Sequence, residues 1–244
     1  MNTTQTLEQM RELKLTGMLH SYQSQLELSI NHQLEAHELI AHLLEAENLY
    51  RTNTRLITLL HAAKLRFQAI PESIECSAAR NLTKGQWSML LQCSFIGQGE
   101  TILITGSTGC GKTQVACALA YQACLLGIKT RYFNMNRLIE AVSMAKTEGS
   151  YLKFLNGLEK IPLIILDDFG LQALNKNMKL ALLQIIEDRY AKKSLIVTSQ
   201  LPVASWHEYL DEPSLADAIL DRLTAKSHRI ELKGESRRKK KQVV

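Results

Sequence analysis

Residues 102–120, ILITGSTGCGKTQVACALA, run from an apolar strand candidate through a glycine loop into a helical pattern. Gly106, Gly111, Lys112 and Thr113 fit G-x-x-x-x-G-K-[ST], and the strand before the loop and the helix after it supply the context that gives this spacing meaning. The glycines let successive backbone N–H groups turn inward on phosphates, and the helix starting near Lys112 offers its positive dipole end to the same anion. The spacing therefore predicts a nucleotide cradle made of Gly106, Ser107, Thr108, Gly109, Cys110, Gly111, Lys112, Thr113 and Gln114. Lys112 is expected to reach the β- and γ-phosphates of ATP, and the Thr113 hydroxyl to ligate Mg2+.

A phosphate loop alone does not separate hydrolysis from binding, so the next feature to look for is a strand ending in acid. PLIILDDFG, residues 162–170, supplies it. Leu163 to Leu166 form a buried strand that delivers Asp167 to its C-terminal end, where open α/β sheets place their ligands. Asp167 is the expected magnesium partner, and Asp168 the candidate to orient and polarise the attacking water. The competing role for Asp168 is a helix or turn cap before Gly170. An aspartate here is one methylene shorter than the glutamate of many ATPases, which predicts slow turnover.

A third apolar strand, in SLIVTSQLP, ends in Thr198, Ser199 and Gln200. If it lies between the other two, one of these side chains can sense the γ-phosphate or hold the water, with Ser199 and Gln200 ahead of Thr198. They serve equally as a strand-to-loop cap. Arg222 lies on an amphipathic helix among Leu215, Ile219, Leu220 and Leu223. It either points across to a neighbouring subunit's ATP, neutralising charge as the γ-phosphate departs, or pairs with Asp217, Asp221 or another acid.

Around these motifs, strand candidates at 101–105, 130–134, 163–167, 194–198 and 229–232 alternate with helical stretches, the pattern of a five-stranded parallel sheet covered on both faces. The expected fold is thus α/β, preceded by a small all-helical region. From Leu7 to Arg66 the chain is glycine-poor, Gly17 being the only glycine, and apolar residues recur at helical spacing. A break is expected near Ser29 to Gln33, and a second division around Thr52 to Thr54. The boundaries read as a helical N-terminal domain at 1–66, a linker-like stretch and the start of the ATPase domain at 67–98, and the ATPase domain with a basic tail at 99–244.

No stretch approaches the roughly 20 apolar residues of a membrane span, and the beginning of the chain lacks a signal-peptide layout, so a cytoplasmic protein is expected. The five cysteines show no CxxC pair and no zinc-type spacing, and read as buried small hydrophobes. The net charge of +5 is unevenly placed: residues 1–66 hold six Lys/Arg against seven Asp/Glu, whereas Arg222 to Lys241 hold nine basic residues against two acids. That surface suits a polyanion, although a solvated tail explains RRKKK equally well.

Together these pieces resemble the AAA+ ATPases, and within them the branch of the DnaC-type helicase loaders and the IstB-type transposition helpers. The IstB type is the better match. LKLTGM (13–18), HELIAHLLEAENLYRTNTRLITLLHAAKLR (37–66), ILDDFGLQAL (165–174), VTSQLPVASWHEYLDEPSLADAILDRL (197–223) and HRIELKGESRRK (228–239) look like stretches of that family in the same order. The resemblance implies an AAA+ ATPase that assists a DDE-type transposase, oligomerises on double-stranded DNA largely independently of sequence, and shares ATP sites between subunits. It places the arginine finger on Arg222 and the sensor-two arginine on Arg238, with Arg237 at a variable position. The loop GSTGCGKT departs from many relatives, which carry prolines and a second glycine nearby.

Three other readings compete. A replicative helicase loader shares every ATP residue. A small-molecule kinase needs an arginine-rich lid, for which AVSMAKTEGSYLKF is a poor candidate. A nucleotide-gated scaffold would bind ATP and scarcely hydrolyse it.

Overall fold

The computed structural model describes residues 2–28 and 34–236, and the chain divides into two compact units, Met1–Thr58 and Leu59–Val244. The first unit contains α1 (Thr3–Glu12), α2 (Thr16–Leu26) and most of α3 (Ala36–Ala63). Asn2 and Gln5 form a capping box that starts α1. The amphipathic pattern before Leu26 reads as one helix, yet it is cut at Lys14, whose φ of 57° is left-handed. Gly17 explains its own isolation in a glycine-poor region. A Cβ there would lie 2.7 Å from the Glu47 Cα, and the Glu47 carboxylate accepts a hydrogen bond from the Met18 N–H at 3.1 Å, so α2 and α3 meet backbone to backbone.

Helix α3 runs unbroken through Thr52 to Thr54, where the sequence suggests a division. Threonine and asparagine lower helix propensity only slightly, and leucines on either side keep the apolar stripe continuous. The other expected break, Ser29 to Gln33, lies outside the described residues.

In the second unit, β1 (Thr101–Gly106), β2 (Thr130–Asn134), β3 (Leu163–Phe169), β4 (Ser194–Ser199) and β5 (Ser227–Leu232) form one sheet in the order β2-β3-β4-β1-β5. Every neighbouring pair is parallel. All five expected strands are present with ends shifted by two residues at most, and β4 lies between β1 and β3, as a role for Thr198 to Gln200 requires. Alternation along the strands sends side chains to two cores. Ile102, Ile104, Ile165 and Ile196 pack towards α6 (Lys112–Leu125), α4 (Lys84–Leu91) and α5 (Ser94–Gln98). Leu103, Ile164, Leu166 and Val197 pack towards α7 (Met135–Thr147), α8 (Tyr151–Glu159), α9 (Lys176–Arg189), α10 (Trp206–Leu210) and α11 (Pro213–Thr224).

Residues 67–98, linker-like in sequence, place Leu82, Trp87, Leu90, Phe95 and Ile96 in the first core. The Trp87 indole donates to the Pro71 carbonyl at 3.3 Å. Four of the cysteines are buried and Cys76 is partly so, all as free thiols. Burial alone pushes the Cys93 thiol up to about 11. Among the described residues no helix is long and apolar enough to cross a membrane.

Arg189, at the end of α9, is wholly buried. It donates to the carbonyls of Leu158 at 3.0 Å, Pro162 at 3.1 Å and Ser194 at 2.7 Å, tying the end of α8 to the starts of β3 and β4. Burial lowers its pKa to about 10, which leaves it charged at neutral pH.

Candidate nucleotide-binding site

Three glycines shape the loop that leaves β1. Gly106 has φ of 146°, and a side chain there would strike the Leu232 carbonyl of β5. Gly109 has φ of 83° and lies against the side chain of Ser236. Gly111, with φ of 99°, is the residue before α6. Helix α6 is apolar nearly all round and fixed in the core, so its N-terminus is held still beside the loop.

Lys112 curls over the loop, its ammonium donating to the Gly106 carbonyl at 2.7 Å and the Ser107 carbonyl at 2.9 Å. The Cys110 carbonyl turns the other way and accepts from the buried Arg80 guanidinium at 2.9 Å, which braces the loop from behind. Of the nine expected cradle residues, Thr108, Gly109, Gly111, Lys112, Thr113 and Gln114 line a cleft of about 620 Å³. Gly106, Ser107 and Cys110 shape it from outside. The opposite wall comes from Phe67, Gln68, Ala69, Ile70 and Ser73.

Asp167 sits at the end of β3 with no exposed surface. Its carboxylate accepts from the Thr113 hydroxyl at 2.8 Å, the Tyr132 phenol at 2.6 Å and the Thr198 hydroxyl. Burial, together with that bond to Asp167, holds the Tyr132 phenol protonated, far above its ordinary pKa.

Asp168 follows at a register shift between β3 and β4 and has φ of 64°, a conformation that costs on the order of 1 kcal/mol for a non-glycine residue. Its carboxylate accepts from the Asn134 amide at 2.8 Å and the Arg66 guanidinium at 3.2 Å, and Asp168 lines the cleft. These side-chain partners are not those of a turn cap. The turn before Gly170 is instead closed by the backbone, the Asp168 carbonyl accepting from the Leu171 N–H at 3.3 Å.

Phe169 keeps the bulge in place. Its ring packs at 4.7 Å from Trp206 and 5.3 Å from Tyr209, and its carbonyl accepts from the Ser199 hydroxyl at 2.6 Å. The Ser199 oxygen also accepts from the Leu201 N–H at 3.0 Å. Ser199 thus holds the acidic strand and the following loop, whereas Thr198 bonds Asp167 directly. Gln200 does face the cleft, where its side-chain oxygen accepts from the Thr108 hydroxyl at 2.6 Å.

Arg222 lies elsewhere. It donates to the Ala218 carbonyl at 2.9 Å and to Glu187 at 3.0 Å, while Asp217 pairs with His207 at 3.3 Å. A small pocket beside Arg222 is lined by Gly99 and Thr101 at the start of β1 and by Leu195 at the start of β4. The cradle is at the other end of those strands, so Arg222 does not meet it within one chain. Arg237 and Arg238 lie outside the described residues, the last of which is Ser236.

The donor set suits a magnesium–triphosphate. A hydroxyl and a buried carboxylate adjoin each other, and a lysine stands over a loop whose glycines leave room for phosphate. Motif reading misses Arg66, Tyr132 and Asn134. A sequence signal exists for Asn134, because it is the polar residue ending β2 and stands in register with Asp167. None exists for Arg66, which meets the acids across about a hundred residues of chain.

The profile of the IstB-like ATP binding proteins matches residues 8–244. The insertion-sequence ATP-binding protein y4pL of Sinorhizobium fredii is 38% identical over 234 residues, covering 96% of each chain. The ATP-binding protein of insertion sequence IS1162 from Pseudomonas fluorescens is 38% identical over 203 residues, covering 83% of this chain and 88% of that one. Among solved structures, the DnaC helicase loader superposes with a TM-score of 0.55 at 25% identity, covering 70% of this chain and all of that one. The fold is that of the AAA+ ATP-binding domains. With a phosphate loop, a buried acid beside it and a match along nearly its whole length, the chain belongs to the IstB-like ATP-binding protein family.

Proposed function

We propose that the chain is an ATPase that assists a DDE transposase, assembling on double-stranded DNA with each ATP shared between neighbouring subunits. One observation carries this reading: the cradle gathers acids, a lysine and a glutamine at one end of the sheet, while Arg222 stands at the other end, paired with Glu187. An arginine at that end cannot complete its own chain's site, and in this reading it leaves Glu187 to complete a neighbour's. The insertion-sequence relatives support the transposition context.

In this reading the loop amides and Lys112 bind the β- and γ-phosphates, and Thr113 and Asp167 would hold Mg2+, which would offset negative charge on the phosphate oxygens. Asp168 orients a water whose oxygen bonds to the γ-phosphorus as the bond to the bridging oxygen breaks, giving ADP and phosphate. The water's proton passes to the Asp168 carboxylate. Asn134 and Arg66 must release that carboxylate first, which together with its short side chain predicts slow turnover. Gln200 reads the γ-phosphate from β4, and Thr198 and Ser199 fix the strand ends around it. Arg222 of a neighbour offsets the charge that develops on the leaving phosphate. Arg238 is assigned the sensor-two role from the family pattern, two residues beyond the Ser236 that packs on Gly109.

In this reading water is the phosphoryl acceptor, so hydrolysis drives assembly and release in place of making a product. DNA would be held through its phosphates by the basic stretch from Arg222 to Lys241, together with Lys146 and Lys153. These last two lie near the facing ends of α7 and α8, on either side of the short connection between them.

Mixing variants tests the shared site. Arg222→Ala and Asp168→Asn are each expected to be inactive, and their mixture to regain part of the activity through hybrid interfaces. Absence of rescue would count against it. The DnaC likeness supports a second reading, a helicase loader, and capture by a replicative helicase but not by a transposase would favour that alternative.

A further inference from the structure

Asp167 and Asp168 place two carboxylates side by side, one of them fully buried. Burying a carboxylate without a compensating cation is strongly unfavourable. Thr113, Tyr132 and Thr198 give Asp167 hydrogen bonds but no positive charge, and Lys112 spends its ammonium on the Gly106 and Ser107 carbonyls. Among the described residues, the ion pairs of both acids come from Arg66, at 3.4 Å from Asp167 Oδ2 and 3.2 Å from Asp168 Oδ2.

The position of Arg66 is built. It lies three residues past the end of α3, where the Arg131 guanidinium holds the Ala62 carbonyl at 2.9 Å. Its guanidinium lies 5.5 Å from the ring of Phe67, a residue of the cleft wall. The side chain thus reaches from the wall on to the acids and remains 40% exposed.

These acids are also those to which the proposed function assigns Mg2+ and the attacking water, and the inference rests on that reading. A divalent ion approaching Asp167 would meet a guanidinium already on its carboxylate, and neighbouring cations repel. We infer that Arg66 is a built-in counter-cation of the acid pair that a magnesium–nucleotide must displace, so that it sets how much magnesium the site requires. Arg66 is on this account a positioning residue: it acts through Asp167 and Asp168.

The test uses the full chain and a fluorescent non-hydrolysable ATP analogue, with Mg2+ titrated at fixed analogue and the half-point read from the binding signal. Arg66→Gln is expected to lower the magnesium half-point by roughly threefold to tenfold, the effect of removing a charged competitor. Arg66→Lys, which keeps the charge, is expected to stay within about twofold of wild type. Arg66→Gln should also melt at a lower temperature than wild type in EDTA, and regain most of the loss with magnesium and analogue. A purely structural arginine would lower melting equally in both conditions and leave the half-point unmoved.

If Arg66→Gln alone does not fold, the comparison is made between Asp168→Asn and Asp168→Asn/Arg66→Gln, in which one acid and one cation have left together. The inference is overturned if the neutral variant needs as much magnesium as its parent, or more. Asp167→Asn separates the two levels of the argument. A raised half-point in Asp167→Asn with none lowered in Arg66→Gln sinks the counter-cation alone. An unchanged half-point in Asp167→Asn sinks the assignment of Mg2+ to Asp167, and the Arg66 inference with it.

Discussion

At the C-terminal ends of the strands a buried carboxylate, Asp167, is ringed by Thr113, Tyr132, Thr198 and Arg66; at the starting ends a buried guanidinium, Arg189, is ringed by three carbonyls. Both groups are out of water and both are hydrogen-bonded, so burial alone does not distinguish a working charge from a structural one. The surroundings do. Asp167 adjoins a cleft of about 620 Å³ and shares its cation with Asp168, whereas the pocket beside Arg189 is about 10 Å³, at the limit of what a single water needs. Partners of the first can be exchanged for a ligand's. Those of the second are backbone and cannot leave without unfolding the strand starts.

Substitutions at the two ends should separate catalysis, stability and binding. The largest effect is expected at Asp168→Asn, with hydrolysis lowered by about 10²–10⁴-fold, the range of a positioned general base, and nucleotide affinity within a few-fold of wild type; a phosphate-release assay paired with direct binding reads both. Hydrolysis at the wild-type rate would remove Asp168 from the mechanism. Next comes Arg189→Met, which removes three hydrogen bonds from a buried guanidinium to backbone carbonyls and should cost about 3 kcal/mol or more, lowering the melting temperature by roughly 6–12 °C without altering nucleotide affinity. Loss of binding with unchanged melting would erase the contrast between the two ends. Lys112→Ala should do the reverse, weakening ATP by about 10- to 100-fold, the worth of one charge-assisted contact, while shifting the melting of the protein without nucleotide by only a few degrees.

The sheet was legible because its three central strands, β3, β4 and β1, are short apolar runs and each connection contains a helix, a pattern that local sequence carries. The cradle was legible for the same reason: Gly106, Gly111, Lys112 and Thr113 are close in sequence, and their chemistry needs only the loop. Polar partners brought together by the sheet were harder to see. Tyr132 and Asn134 reach the acids from β2, more than thirty residues away in sequence, and Arg66 does so from the end of α3. Which of Thr198 and Ser199 meets Asp167 is not legible in sequence, because adjacent strand residues point to opposite faces and only the register at the bulge decides. The cut at Lys14 was equally hidden, since a single left-handed residue leaves the apolar spacing on either side intact.

Sharing of one ATP between subunits on DNA is the central claim, and sedimentation velocity of the full chain with duplex DNA tests it most directly, in ADP and in a non-hydrolysable ATP analogue. Large assemblies that form with the analogue and DNA, and shrink in ADP or with Arg222→Ala, are the predicted result. A monomer at every concentration, with analogue and duplex both present, would contradict it.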